Sequence, residues 1–146
     1  AIAANTRQRL RMIDKIVGAL DGEIEGRSIA VLGLAFKPET DDMREAPSVD
    51  IIRGLLERGA TIRAFDPAAM AEAGRMIPEM TLCKDAYEAC DGADALVIVT
   101  EWNQFRMLDL GRVKDRLGEP RMIDLRNIYD AERMKEAGFL YWSVGR

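Results

Sequence analysis

The 146 residues contain no histidine, only two cysteines and no apolar run long enough to cross a bilayer. Without an imidazole there is no Ser-His-Asp or Cys-His catalysis, no histidine metal ligand and no imidazole proton shuttle. Cys83 and Cys90 cannot complete a zinc site by themselves. Two thiols fit a reducing cytoplasm and give no sign of a disulfide framework. No signal peptide opens the sequence, so neither secretion nor a membrane is expected. The charge balance is slightly acidic, 21 Lys+Arg against 25 Asp+Glu for a net −4, which argues against nucleic acid as the main partner. What is present, 48% apolar and 32% charged residues, suits one domain with a real core. The sequence begins at Ala1 inside a helical pattern, which predicts a piece of a longer protein.

Leu10, Ile13, Ile16, Val17 and Leu20 share one face of a helix. Arg7, Arg11 and Lys15 fall on another face, read as solvated. Asp21-Gly22 ends this helix, and the segment 22–27 reads as a linker. After it, apolar runs alternate with helical patterns. Strands are expected at 29–32, 61–65, 81–82, 95–100, 122–123 and 139–142. Helices are expected at 48–58, 68–76, 85–90, 108–117 and 131–137. Near-continuous apolar strands separated by helices mean parallel pairing with both faces covered. The fold class is therefore α/β, a Rossmann-like, doubly wound and mainly parallel sheet of about six strands over 28–146, preceded by the end of a long helix over 1–21. Ligands of such sheets sit beyond the carboxyl ends of the strands, here after Gly33, Phe65, Thr100 and Asp124.

The first of those loops carries only Gly33, so the G-x-G-x-x-G dinucleotide fingerprint is missing. Asp66 lies 33 positions after Gly33, well beyond the roughly 20 at which a ribose-binding acid is placed. It is read as a turn initiator before Pro67. The loop leads instead to a helix start, with Pro47 suited to the first turn and Ser48 able to satisfy a free backbone N–H. Lys37 offers a point charge and Arg44 a planar phosphate donor, so the loop suits a diphosphate. The simpler reading pairs Arg44 with Asp41 or Asp42 and leaves Lys37 solvated. Arg126 follows another strand and brings a third cation to the same sheet edge. Trp102 reads as an anchor of its loop on the core, and Cys83 and Cys90 as core packing.

The run 30–38 (Ala-Val-Leu-Gly-Leu-Ala-Phe-Lys-Pro), continued by Thr40-Asp41-Asp42-Met43-Arg44-Glu45-Ala46-Pro47-Ser48, closely resembles the UDP-binding, carboxy-terminal domain of the UDP-glucose/GDP-mannose dehydrogenase family. The likeness extends through Phe65-Asp66-Pro67, Val99-Thr100-Glu101-Trp102 and Ile123-Asp124-Leu125-Arg126-Asn127. Ala35 and the Pro-x-Thr-Asp-Asp after Lys37 are similar to its UDP-glucose 6-dehydrogenase branch. The resemblance implies that the intact protein oxidises UDP-glucose to UDP-glucuronate with two NAD+, through a covalent thiohemiacetal on a cysteine. That cysteine and the amino-terminal NAD-binding domain lie, in the family, upstream of the central helix, so this chain alone is expected to be inactive. By the same resemblance Phe36, Lys37 and Arg126 contact UDP-glucose or UDP, Arg44 reaches toward NAD on the amino-terminal domain, and Ser48 and Asp41 support the loop. The central helix implies a homodimer. Leu125 stands where many family members have glycine.

Two other readings stay open at this point. One is the same domain from a GDP-mannose or UDP-N-acetylhexosamine dehydrogenase; the other is a non-catalytic dimerisation module.

Overall fold

The computed structural model describes residues 2–145; Ala1 and Arg146, the outer ends of the expected segments 1–21 and 28–146, lie outside them. The elements run α1 (Ile2–Ala19), β1 (Ser28–Leu32), α2 (Pro47–Glu57), β2 (Thr61–Phe65), α3 (Met70–Met76), β3 (Thr81–Leu82), α4 (Ala86–Cys90), β4 (Ala95–Ile98), α5 (Asn103–Arg106), α6 (Leu110–Arg116), β5 (Arg121–Asp124), α7 (Ala131–Glu136) and β6 (Leu140–Ser143). The six strands form one sheet in the order β3-β2-β1-β4-β5-β6. Every pairing is parallel. The chain reverses direction of travel across the sheet between β1 and β4, the switch point of a doubly wound fold.

Alternation along the central strands builds two cores. Ile29 and Val31 of β1, Ala95 and Val97 of β4 and Ile123 of β5 face one side, where α1, the turn after it and α2 contribute Ile13, Ile16, Leu20, Ile51, Ile52 and Leu55. Ala30, Leu32, Leu96, Ile98 and Met122 face the other, with Cys90, Phe105, Val113 and Met134 from the helices there. Both faces are buried, which explains why the strands read as unbroken apolar runs. Three helices of the second face start with an aspartate cap: Asp85, Asp109 and Asp130 accept from the backbone N–H of Glu88, Arg112 and Arg133. Each such cap contributes on the order of 1 kcal/mol.

Two expectations change here. Lys15 is not simply solvated: its Nζ donates to the Ser143 carbonyl at 2.7 Å and ties α1 to the end of β6. The segment around 103–106, which carries no helical period in the sequence, forms the short helix α5.

Cys83 and Cys90 are free, buried thiols. Burial pushes Cys90 up to about 12 from the ordinary 9.0, and burial raises Cys83 as well. The unfolded chain therefore sheds a proton that folded Cys90 keeps. That stabilisation is complete below pH 9.0, falls as pH rises, and is gone by about 12. Urea titrations from pH 8 upward should find stability dropping, with this one group contributing up to about 1.4 kcal/mol per pH unit. Cys90→Ala should flatten that slope; an unchanged slope would remove Cys90 from the account.

Candidate functional site

Beyond the carboxyl ends of the strands, the first structure to explain is the loop after β1. Gly33 holds φ at +98°, and its Cα faces Thr100 at the end of β4. The next two residues have every main-chain polar group taken by a partner. Asp66 accepts from the N–H of Leu34 at 2.7 Å and of Ala35 at 3.0 Å. Ser48 Oγ donates to the Leu34 carbonyl at 2.6 Å, and Thr100 Oγ1 to the Ala35 carbonyl at 2.8 Å. Ser48 therefore does not cap α2. The residue preceding that helix is Ala46, Pro47 takes the first turn, and the Ser48 hydroxyl points back at the β1 loop.

Asp66 proves to be more than a turn initiator. It is 1% exposed, and its second oxygen accepts from the N–H of Ala68 and Ala69, each at 2.8 Å. Trp102 Nε1 donates to it at 3.2 Å, which fixes Trp102 as the anchor that the sequence suggests. With Thr100 against Gly33 and Trp102 on Asp66, the crevice where an open α/β sheet takes a dinucleotide is filled by the chain itself. The residues present do not fit NAD in that crevice.

The loop thus held presents Phe36 and Lys37 outward. Phe36 is 48% exposed, a high value for an aromatic residue on a braced loop. Its backbone N–H donates to the Asp42 carbonyl at 2.8 Å. At the end of β5, Asp124 accepts from the N–H of Arg126 at 3.2 Å and of Tyr129 at 3.0 Å, and from the Tyr141 hydroxyl at 2.7 Å. Asn127, at φ +54°, exchanges two side-chain hydrogen bonds with Val144. Leu125 is buried with no positive φ, so the Leu in place of Gly is accommodated without strain.

Arg126 is thereby set on the same cleft as Phe36, a space of about 270 Å³ also lined by Arg9, Glu45 and Pro47. Its guanidinium bonds Glu101 through Nε at 3.1 Å and through Nη2. Burial acts to raise the Glu101 carboxyl, but its own backbone N–H and Arg126 outweigh it and leave it below the usual range. Arg44 goes elsewhere. It lines a separate cleft of about 410 Å³ with Asp41, Glu72 and Arg75. It pairs with Asp42 through Nε at 3.1 Å and Nη2 at 3.0 Å, the simpler of the two expected arrangements. The hydrogen bond from Arg44 lowers the Asp42 carboxyl, to which Lys37 adds its field, and Asp42 raises Arg44. Phe36 and Arg126 are thus brought together, Lys37 projects from the same braced loop, and Arg44 sits apart.

Sequence reasoning missed Arg9 and Glu101. Arg9 comes from α1, bonds the Glu45 carbonyl at 2.8 Å and pairs with Asp50. It lies off the basic stripe 7-11-15, and no spacing signal pointed to it. Glu101 stands inside a motif already quoted, two residues before the start of α5. Among the described residues no group of three or more acidic or thiol side chains is placed to hold a metal. No described helix is long and apolar enough to cross a membrane.

The profile described as "UDP-glucose/GDP-mannose dehydrogenase family, UDP binding domain" matches residues 30–131. The UDP-glucose 6-dehydrogenase of Rhizobium meliloti (strain 1021) is 44% identical over 99% of this chain and 33% of its own length. The UDP-glucose 6-dehydrogenase TuaD of Bacillus subtilis (strain 168) is 42% identical over 99% and 32% respectively. Among solved structures, the NDP-N-acetyl-D-galactosaminuronic acid dehydrogenase of Methanosarcina mazei Go1 superimposes with a TM-score of 0.83 at 26% identity, covering 94% of this chain and 29% of that one. A UDP-glucose dehydrogenase from the archaeon Pyrobaculum islandicum does so with a TM-score of 0.73 at 31% identity, over 93% and 29%. The chain spans about a third of the length of the curated relatives it matches. With the motif-bearing loops at the carboxyl edge of the sheet and the profile matched across them, the chain belongs to the UDP-glucose/GDP-mannose dehydrogenase family, whose UDP binding domain it matches.

Proposed function

We propose that the chain is the nucleotide-sugar-binding domain of an NAD-dependent UDP-glucose 6-dehydrogenase, working in a homodimer in the cytoplasm. The observation that carries this reading is the cleft where Phe36, on the braced β1 loop, meets Arg126, from the end of β5. An exposed ring offers a stacking face to uracil or sugar, and a guanidinium pairs with phosphate oxygens in a planar, two-point geometry. Lys37, the next residue of the same loop, adds a mobile point charge. On binding, the diphosphate takes over donors of Arg126 that Glu101 holds in the free chain.

The thiohemiacetal route to the acid uses a reactive thiol and a hydride acceptor, and this domain offers no thiol suited to it. Both its thiols are buried with raised pKa values, the opposite of a nucleophile's setting. NAD is held mainly by the remaining part of the enzyme, toward which Arg44, 89% exposed at its side chain, extends from the second cleft. The contribution of the chain is to bind and orient the nucleotide sugar.

Titrating UDP into the chain should move the backbone amide resonances of Phe36, Lys37 and Arg126. Arg126→Ala should weaken UDP binding about 10–100-fold, as for a lost charged hydrogen bond of about 1.5–3 kcal/mol. Resonances left in place at saturating UDP would sink the proposal. Tighter binding of GDP than UDP would move the chain to the GDP-mannose branch.

A further inference from the structure

The geometry points to Asp66 as the positioning residue of the nucleotide-sugar loop: its buried carboxylate holds the chain's own backbone so that Phe36 and Lys37 are set before the ligand arrives. This rests on the reading that those two side chains meet a nucleotide sugar.

A carboxylate taken out of water must be paired or fully hydrogen-bonded. Among the described residues no cation pairs with Asp66; five N–H donors satisfy it instead. Two come from the β1 loop, two from the turn after Pro67 and one from Trp102. One residue thus links three of the four strand ends that open onto the site. Charge-assisted hydrogen bonds are roughly twice as strong as neutral ones. The Asp66 bonds to Leu34 and Ala35 are therefore the strong side of the clamp, and the Ser48 and Thr100 hydroxyls the weaker side.

The clamp ends one residue before Phe36. A loop fixed there loses little freedom on binding, and freedom not lost on binding appears as affinity. A merely structural Asp66 would affect stability alone. A positioning Asp66 affects affinity, and does so through the loop it holds.

The test is a double-mutant cycle on UDP affinity, measured by calorimetry. Asp66→Asn replaces one acceptor oxygen with an NH2 group facing N–H donors. It should weaken UDP binding about tenfold in the otherwise native chain, and by less than about twofold in a Phe36→Ala, Lys37→Ala background where the loop's contacts are already gone. An equal penalty in both backgrounds overturns the positioning role while leaving the UDP-binding reading intact. No binding by the native chain overturns that reading itself. A second measurement needs no variant: hydrogen exchange at the amides of Leu34 and Ala35. Both should already be protected without UDP, and UDP should add no more than the general stabilisation it gives core amides remote from the site. Free exchange that slows only when UDP is added would show a loop ordered by the ligand, and the proposal would fall even if Asp66→Asn failed to fold.

Discussion

Gly33→Ala is expected to destabilise the fold by about 2–5 kcal/mol, the combined cost of a left-handed backbone and an overpacked contact. At φ +98° a side chain is strained whatever space surrounds it, and here there is no space. A Cβ would lie 2.5 Å from both the backbone nitrogen and the Cβ of Thr100, and 2.7 Å from its hydroxyl. Thr100 cannot step aside cheaply. It is 1% exposed, sits at the end of β4 and bonds the Ala35 carbonyl. Urea denaturation should give a lower midpoint at an unchanged slope. The same substitution pushes on the residue that braces the β1 loop, so UDP affinity should fall with stability. A loss below about 1 kcal/mol would mean that β1 and β4 part more easily than their packing implies.

Phe105→Ala should cost about 3–5 kcal/mol, the range for emptying a buried phenylalanine site. The ring is fully buried and meets Phe65 edge to face, with centroids 6.2 Å apart and an interplanar angle of 71°. Its carbonyl accepts from the Tyr129 hydroxyl, whose burial raises that phenol to about 12. The cavity would open against Phe65, the residue that immediately precedes Asp66. The same urea midpoint measures it, and a cost under about 1.5 kcal/mol would mean that the surrounding side chains collapse into the space.

Phe105 also marks where sequence reading stops. The strands were legible because each central one is apolar on both faces, and the order of elements followed from their alternation. Helix α5 was not, because four residues hold no period, and a hydrophobic side chain plugged into a core defines it instead. The Arg44–Asp42 pair was legible because its partners are two positions apart. The Arg126–Glu101 pair spans 25 positions and meets only through the pairing of β4 with β5. Ser48 has the chemistry of a helix cap, but the nearness of the Leu34 carbonyl, 14 residues back, decides otherwise. Asp66 starts a turn, as its place before Pro67 suggests, but three of its five donors come from 31 to 36 residues away, where no local pattern reaches.

The bond from Lys15 to the Ser143 carbonyl spans 128 positions, and helix α1 also rests against β5. Helix α1 and its other partner, α2, are neighbours in the chain, yet the rest of the surface that receives α1 is finished only when the last two strands have joined the sheet. Until then its apolar side chains Ile13 and Ile16 lack part of their cover. Contacts so distant in sequence are slow to close and expose apolar surface while they wait. The helix can therefore meet α2 early, whereas its seat on β5 and β6 closes only when the sheet is complete.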